Sequence, residues 1–219
     1  MFGRIVPRYD LLNRLMSFGM DGRWRRVAVT SVRPRGTIAL DLGTGTGDMA
    51  IELRRRGAAR VIAADFSDAM LAAAVEKALD TDGIEFALAD ALRLPFADKT
   101  FDVVTNAFLL RNLGDLPAGL GEMARVLRPG GRLACLDMTQ PPPGVFGAVY
   151  RAYFNRLTPV IAGAISGDFA AYRYLPRSLR GFPDAAAMAG LLRGAGLADL
   201  RVRILGGGTV ALHTAVRPD

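Results

Sequence analysis

The chain has one cysteine, Cys135, one histidine, His213, and only two lysines, Lys77 and Lys99. One cysteine cannot close an internal disulfide, so a disulfide-stapled secreted fold is excluded. Cys135 sits within Leu133-Ala-Cys-Leu136 and reads as a small buried hydrophobe. One histidine, one cysteine and scattered acids give no metal-ligand spacing. No stretch reaches the ~18 uncharged apolar residues of a membrane span; Leu157 to Gly167 is apolar but too short. The opening Met1-Phe2-Gly3-Arg4 mixes apolar residues with charge and lacks a signal peptide's apolar centre. No glycine period and no internal repeat is visible, which excludes collagen-like and repeat architectures. These absences point to a cytoplasmic protein, soluble or peripheral on the inner face of a membrane.

What is present is apolar and basic. The 219 residues are 51% hydrophobic, enough to form a core and to exclude wholesale disorder. Twenty-eight basic residues against 21 acidic ones give a net charge of +7, carried almost entirely by arginine. Such a surface can meet nucleic acid, anionic lipid or an anionic substrate. The basic residues are spread along the chain, which weakens the nucleic-acid reading.

The centre of the chain alternates short apolar runs with helical periodicity. Runs at Thr37–Leu42, Val61–Asp65, Ile84–Ala89, Asp102–Phe108 and Arg132–Met138 read as strands. Asp48–Gly57, Asp68–Leu79 and Leu116–Leu127 read as helices, the last stopping at Pro129-Gly-Gly131. This pattern predicts an α/β fold, a mostly parallel sheet with helices on both faces. Later, a helix at Ala185–Ala195 precedes two strands, Leu200–Leu205 and Thr209–Val216, joined by Gly206-Gly-Gly208. A short glycine loop between strands makes a hairpin, so the last of seven strands is antiparallel. The chain reads as one domain, 1–219. Residues 1–34 form a helical cap and residues 141–183 an aromatic-rich helical insert. Both are placed to cover the strand ends, where open α/β sheets bind ligands.

Asp41-Leu-Gly-Thr-Gly-Thr-Gly47 follows the first strand and opens a helix. The dinucleotide fingerprint is G-x-G-x-x-G, with pyrophosphate on the helix N-terminus. Here the spacing is G-x-G-x-G, flanked by Asp41 and Asp48. Two carboxylates repel a pyrophosphate and suit a ligand with an ammonium or sulfonium charge. Asp65 ends the second strand, 18 residues after Gly47, where an acid accepts the ribose hydroxyls of such ligands. Asp90 follows the third strand. This loop and its acids resemble those of the S-adenosylmethionine-dependent methyltransferases. The fourth strand has Asn106-Ala-Phe-Leu-Leu-Arg-Asn-Leu113 and lacks the Asn/Asp-Pro-Pro-Tyr/Phe motif of adenine-amino methyltransferases. Cys135 lies mid-strand, out of place for a cytosine-C5 nucleophile, so nucleic acid is not the expected acceptor.

The resemblance narrows further. Phe2 with Tyr9-Asp10, Asn13, Ser17-Phe-Gly19 and Trp24-Arg25 is similar to the N-terminus of the ubiquinone/menaquinone-biosynthesis C-methyltransferases. So are Leu110-Arg-Asn112, Tyr172-Arg-Tyr-Leu-Pro-Arg-Ser178, Phe182-Pro183 and the ending Gly207-Gly-Thr-Val-Ala-Leu-His213. That family implies a Rossmann-like fold, S-adenosyl-L-methionine as cofactor, and C-methylation of a reduced polyprenyl quinone precursor, most readily demethylmenaquinol. Another phenolic or lipid acceptor is the alternative. It implies cofactor contacts from Asp41, Gly43, Thr44, Gly45, Thr46, Asp65, Phe66, Asp90, Ala91 and Asn106. It implies that Arg111 takes the developing phenolate and Asn112 orients it, with Tyr9 and Asp10 as candidates for the base. Leu109 stands where the family has glycine, which predicts a narrowed acceptor pocket. A polyprenyl substrate implies weak peripheral contact with an anionic membrane through residues 1–30 and 145–165.

Overall fold

The computed structural model describes residues 6–141, 144–153, 178–179 and 181–219. Two helices, α1 (Val6–Met16) and α2 (Asp21–Ser31), precede the sheet. The chain then alternates β1 (Ile38–Leu42), α3 (Asp48–Arg55), β2 (Arg60–Asp65), α4 (Asp68–Lys77), β3 (Ile84–Leu88) and β4 (Phe101–Ala107). A single three-ten turn, Leu110–Asn112, leads to α5 (Leu116–Val126) and β5 (Leu127–Met138). Then come α6 (Val145–Ala152), α7 (Ala185–Gly194), β6 (Ala198–Leu205) and β7 (Val210–Val216). Residues 154–177 of the insert, with Phe154, Tyr172 and Tyr174, lie outside the described residues.

The seven strands run in the order β3-β2-β1-β4-β5-β7-β6. Pairs up to β4–β5 are parallel, and β7 is antiparallel to both β5 and β6. β1 pairs with β2 on one side and β4 on the other, so the connections leave these two strands in opposite directions. That switch point opens a crevice at the strands' C-terminal ends, the usual ligand site of such sheets.

Strand alternation sorts side chains between two cores. Leu40, Leu42, Val104 and Leu133 pack with Leu120 and Met123 of α5 and Met188 and Leu192 of α7. Ala39, Val61, Val103 and Leu136 pack on the other face with Trp24 and Val29 of α2 and Met49 and Leu53 of α3.

One boundary differs from the sequence pattern. Pro129-Gly-Gly131 does not separate α5 from β5 but lies inside β5. The β4–β5 register jumps from Phe101↔Leu127 to Val103↔Arg132, so the extra residues leave the β4 ladder as a bulge, where proline's missing N–H costs little. Gly130 N–H donates to the Arg217 carbonyl at 2.8 Å, and Arg217 N–H to Gly131 at 2.9 Å. The Arg217 guanidinium caps the end of α5, donating to the carbonyls of Ala124, Arg125 and Leu127.

Candidate active site

Two cavities that share Phe108 lie at the C-terminal end of the parallel strands, one beyond β1, β2 and β4 and the other beyond β4 and β5. The larger, about 330 Å³, is a cleft lined by Gly43, Gly45, Asp65, Phe66, Asp90, Ala91 and Asn112, among others. The chain turns sharply out of β1 because Gly43 and Gly45 adopt φ of +66° and +57°. Asp65 is fixed at the end of β2: Gly45 N–H donates to Oδ2 at 2.8 Å and Ser67 N–H to Oδ1 at 2.9 Å. Phe66, 77% exposed, stands beside it. Asp90 accepts from Leu92 N–H at 2.9 Å, which holds the turn that presents Ala91. In a chain of net charge +7, the described residues lining this cleft include two aspartates and no basic side chain. The cleft therefore suits a cationic ligand with a ribose and an aromatic base, and it disfavours a pyrophosphate.

The carboxylates flanking the loop do other work. Asp41 shares a strand face with Ala39 and points beneath the loop, 1% exposed. It accepts from Thr44 Oγ1 at 2.6 Å and Thr105 Oγ1 at 3.0 Å. Burial pushes its carboxyl up to about 7, against those hydrogen bonds. Asp48 is ion-paired to Lys77 and lies 3.8 Å from Arg25. Both acids line a small recess under the loop, about 20 Å³, with Arg25, Thr44 and Thr46, whereas Asp65 and Asp90 face the larger cleft. Thr44 and Thr46 turn their hydroxyls to Asp41 and Asp10, so they brace the loop. Asn106 is fully buried inside the sheet and donates to Cys135 Sγ at 3.1 Å. Its side chain is not among those that line the cleft.

The smaller cavity, about 70 Å³, is bordered by the N-terminal helices and α6. Asn13, Met16, Ser17, Asp21 and Trp24 line it with Phe108, Arg111, Met138, Tyr150 and Val210. Ser17, Asp21 and Arg25 form a buried chain of hydrogen bonds along the start of α2. Arg111 Nη1 donates to Asp137 Oδ1 at 2.6 Å, with side chains 9% and 6% exposed. Arg111 Nε is buried and has no hydrogen-bond partner among the described residues.

Phe108 lines both cavities. Its φ of +60° is uncommon for a bulky residue. Its N–H donates to the Leu136 carbonyl at 2.7 Å, and the Arg25 and Arg111 guanidinium carbons each lie 5.5 Å from its ring centroid. The three-ten turn that follows splits its side chains. Arg111 enters the small cavity, whereas Asn112 lines the cleft and donates to the Phe108 carbonyl at 3.1 Å. Asn112 therefore holds the wall in place and does not accompany Arg111. Leu109 also lines the cleft, packed on Gly43, so it narrows the cofactor side and not the acceptor side.

Asp10 accepts from Thr46 at 2.7 Å and from Lys77 at 2.6 Å. Burial opposes its charge, but these bonds outweigh burial and hold its carboxyl below the ordinary range. That suits a clamp between α1 and the glycine loop, not a base. The Tyr9 side chain lies outside what the structure describes. His213 bonds through Nε2 to the Ala185 carbonyl at 2.9 Å, behind the sheet and away from both cavities. Phe108, Asp137 and Tyr150 are site residues that spacing alone did not single out. The signal for Asp137 was its place at the C-terminal end of a strand beside the switch point.

A parallel sheet with one reversed strand, a glycine loop at its switch point and a cation-free cleft carrying Asp65 and Asp90 define an S-adenosylmethionine-dependent methyltransferase. A methyltransferase of that class from Aquifex aeolicus superposes with a TM-score of 0.68 at 22% identity, over 97% of this chain and 96% of its own. The model of the ubiE/COQ5 methyltransferase family matches residues 1–217, and the chain belongs to that family. Demethylmenaquinone methyltransferase of Thermus thermophilus is 50% identical over the full length of both chains. A Desulfotalea psychrophila relative, the ubiquinone/menaquinone biosynthesis C-methyltransferase UbiE, is 42% identical over 99% of this chain and 89% of its own.

Proposed function

We propose that this enzyme methylates a ring carbon of a reduced polyprenyl quinone precursor, converting demethylmenaquinol to menaquinol. The observation that carries the reading is Arg111: a buried guanidinium whose Nε has no hydrogen-bond partner among the described residues, in a cavity that shares Phe108 with the cofactor cleft. The relatives named demethylmenaquinone methyltransferase support the naphthoquinol ring.

S-adenosylmethionine supplies an electrophilic sulfonium methyl. Asp65 would take its ribose hydroxyls, Phe66 and the Asp90–Ala91 turn its adenine, and the Gly43–Gly45 backbone its remaining chain. A neutral aromatic carbon is a poor nucleophile until the adjacent hydroxyl loses its proton. Arg111 then holds the developing phenolate in the cavity bordered by α1, α2 and α6, as a fixed donor aimed at developing charge. Asp137 orients the guanidinium. Phe108, held by two guanidiniums and by Asn112, sets how the ring meets the cofactor cleft. Holding the reacting carbon in line can supply ~7–11 kcal/mol of the barrier. Because the acceptor's isoprenoid tail resides in lipid, the enzyme works at a membrane surface from the cytoplasmic side. Among the described residues no helix is long and apolar enough to cross a membrane.

Arg111 is tested with its partner. Removing it alone strands a buried Asp137 carboxylate at a cost of ~3–5 kcal/mol. The Arg111→Gln/Asp137→Asn enzyme avoids that penalty. Its turnover is expected to fall about 10²–10³-fold, the effect of losing an oxyanion donor, while cofactor Kd by calorimetry changes only a few-fold. Turnover near the wild-type rate contradicts the role.

A further inference from the structure

Between α2 and the edge strand β6 runs an open groove of about 600 Å³, with Leu212 and Thr214 of β7 in its lining. Arg23 and Arg26 line it from α2, Arg201 and Arg203 from β6, and Arg56 from the end of α3. Among the described residues no carboxylate does. Arg56 is paired with Glu52 at 2.8 Å. The other four are exposed, and none makes an ion pair among the described residues. Some arginines elsewhere are ion-paired, Arg60 with Glu85, Arg125 with Glu122 and Asp98, and Arg128 with Asp102; what sets the groove apart is that four exposed arginines without an ion pair converge on one recess. Four unmatched guanidiniums around one groove repel each other, and an anion with several oxygens relieves that repulsion. The planar guanidinium fork fits phosphate in particular.

The surroundings favour a bilayer as the source of that phosphate. Phe18, 70% exposed, and Met20, 39% exposed, directly precede α2. Leu11 and Leu15, one turn apart on α1, are also exposed. Exposed apolar side chains in the same N-terminal segment as Arg23 and Arg26, together with a lipid-resident acceptor tail, fit an enzyme that meets anionic lipid. Among the described residues no aromatic side chain lines the groove, which gives single-stranded nucleic acid no stacking platform there. α2 also joins the two sites: its Asp21 and Trp24 line the small cavity, and its Arg23 and Arg26 line the groove.

We propose that the α2–β6 groove binds the phosphate groups of anionic phospholipids and so seats the enzyme on the membrane that holds its acceptor. This rests on the polyprenyl-acceptor reading and adds a surface outside both cavities.

The test is co-sedimentation at low ionic strength with phosphatidylcholine vesicles, with and without phosphatidylglycerol. Wild type is expected to sediment only with the anionic vesicles and to be released by salt. The Arg201→Gln/Arg203→Gln enzyme is expected to partition roughly tenfold to thirtyfold less, at the strength of two basic contacts. Its turnover on a short-tailed, water-soluble acceptor is expected to match wild type, while KM for a long-tailed acceptor in anionic vesicles rises. Three results overturn the proposal: no wild-type binding to anionic vesicles, unchanged partitioning of the variant, or calorimetric binding of inorganic phosphate without any vesicle binding. If wild type sediments but leaves the short-tailed acceptor unmethylated, the acceptor reading has failed and the lipid surface stands.

Discussion

Asp41 shows how one side chain's direction separates two roles that spacing alone cannot. Its place ahead of the glycine loop was plain in the sequence, but strand parity aims it under the loop, toward the α2 face. There it is a buried acid raised from 3.8 to about 7 by desolvation. Between those values the folded chain keeps a proton that the unfolded chain has lost. Stability therefore falls as pH rises from about 4 to 7 and levels off above. In Asp41→Asn that component of the slope is expected to vanish, as read from urea denaturation across the window. An unchanged slope would show that Asp41 ionises normally. Asp65 and Asp90 were legible because each ends or follows a strand at the switch point. For Asn106 spacing is not enough, because an amide on a strand beside the site reads the same whether it faces ligand or core, and here Cys135 and Met123 receive it.

At the scale of elements, the glycine loop and the cap each yield an expectation. A Cβ on Gly43 would lie 2.8 Å from Leu109 Cδ1, and φ there is +66°. Left-handed backbone costs a non-glycine residue ~1–2 kcal/mol. Gly43→Ala is expected to weaken cofactor binding at least tenfold, and adding Leu109→Ala should restore only the steric share. Full recovery in the double variant, measured by calorimetry, would show that backbone conformation is unimportant here. The cap answers a different constraint. A cavity of about 70 Å³ has room for a few waters, so a bicyclic ring enters only if α1 or α6 shifts. Asp10 holds α1 to Lys77 and Thr46. In Lys77→Met, hydrogen exchange in α1 is expected to accelerate and KM for the acceptor to change more than cofactor Kd. Unaltered exchange in α1 would remove the clamp from the account. Helix and strand periods were readable almost throughout. The β5 bulge was not, because Pro129-Gly-Gly131 carries the same turn signal whether it ends a helix or loops out of a strand.

For the molecule as a whole, seven strands, their order of appearance and the reversed last strand follow from apolar runs, helical periods and one glycine hairpin. What the pattern could not supply is which faces remain open. The two cavities sharing Phe108, and the groove beside β6, arise where chain segments distant in sequence meet: 13–24 with 108–111, 138 and 210 in one case, α2 with β6 in the other. Charge shows the same division between scales. A net +7 says that the surface is basic, whereas the fold keeps basic side chains out of the cofactor cleft and gathers unmatched arginines along one groove. The central claim is that carbon methylation of a quinol takes place where the small cavity and that cleft share Phe108. Its most direct test is transfer of isotopically labelled methyl from S-adenosylmethionine to short-tailed demethylmenaquinol, kept reduced, with the product located by mass spectrometry. The account predicts label on a ring carbon, as menaquinol, and little transfer to the methoxy-benzoquinol precursor of ubiquinone. Cofactor binding without transfer to either ring, or label on oxygen, would contradict it.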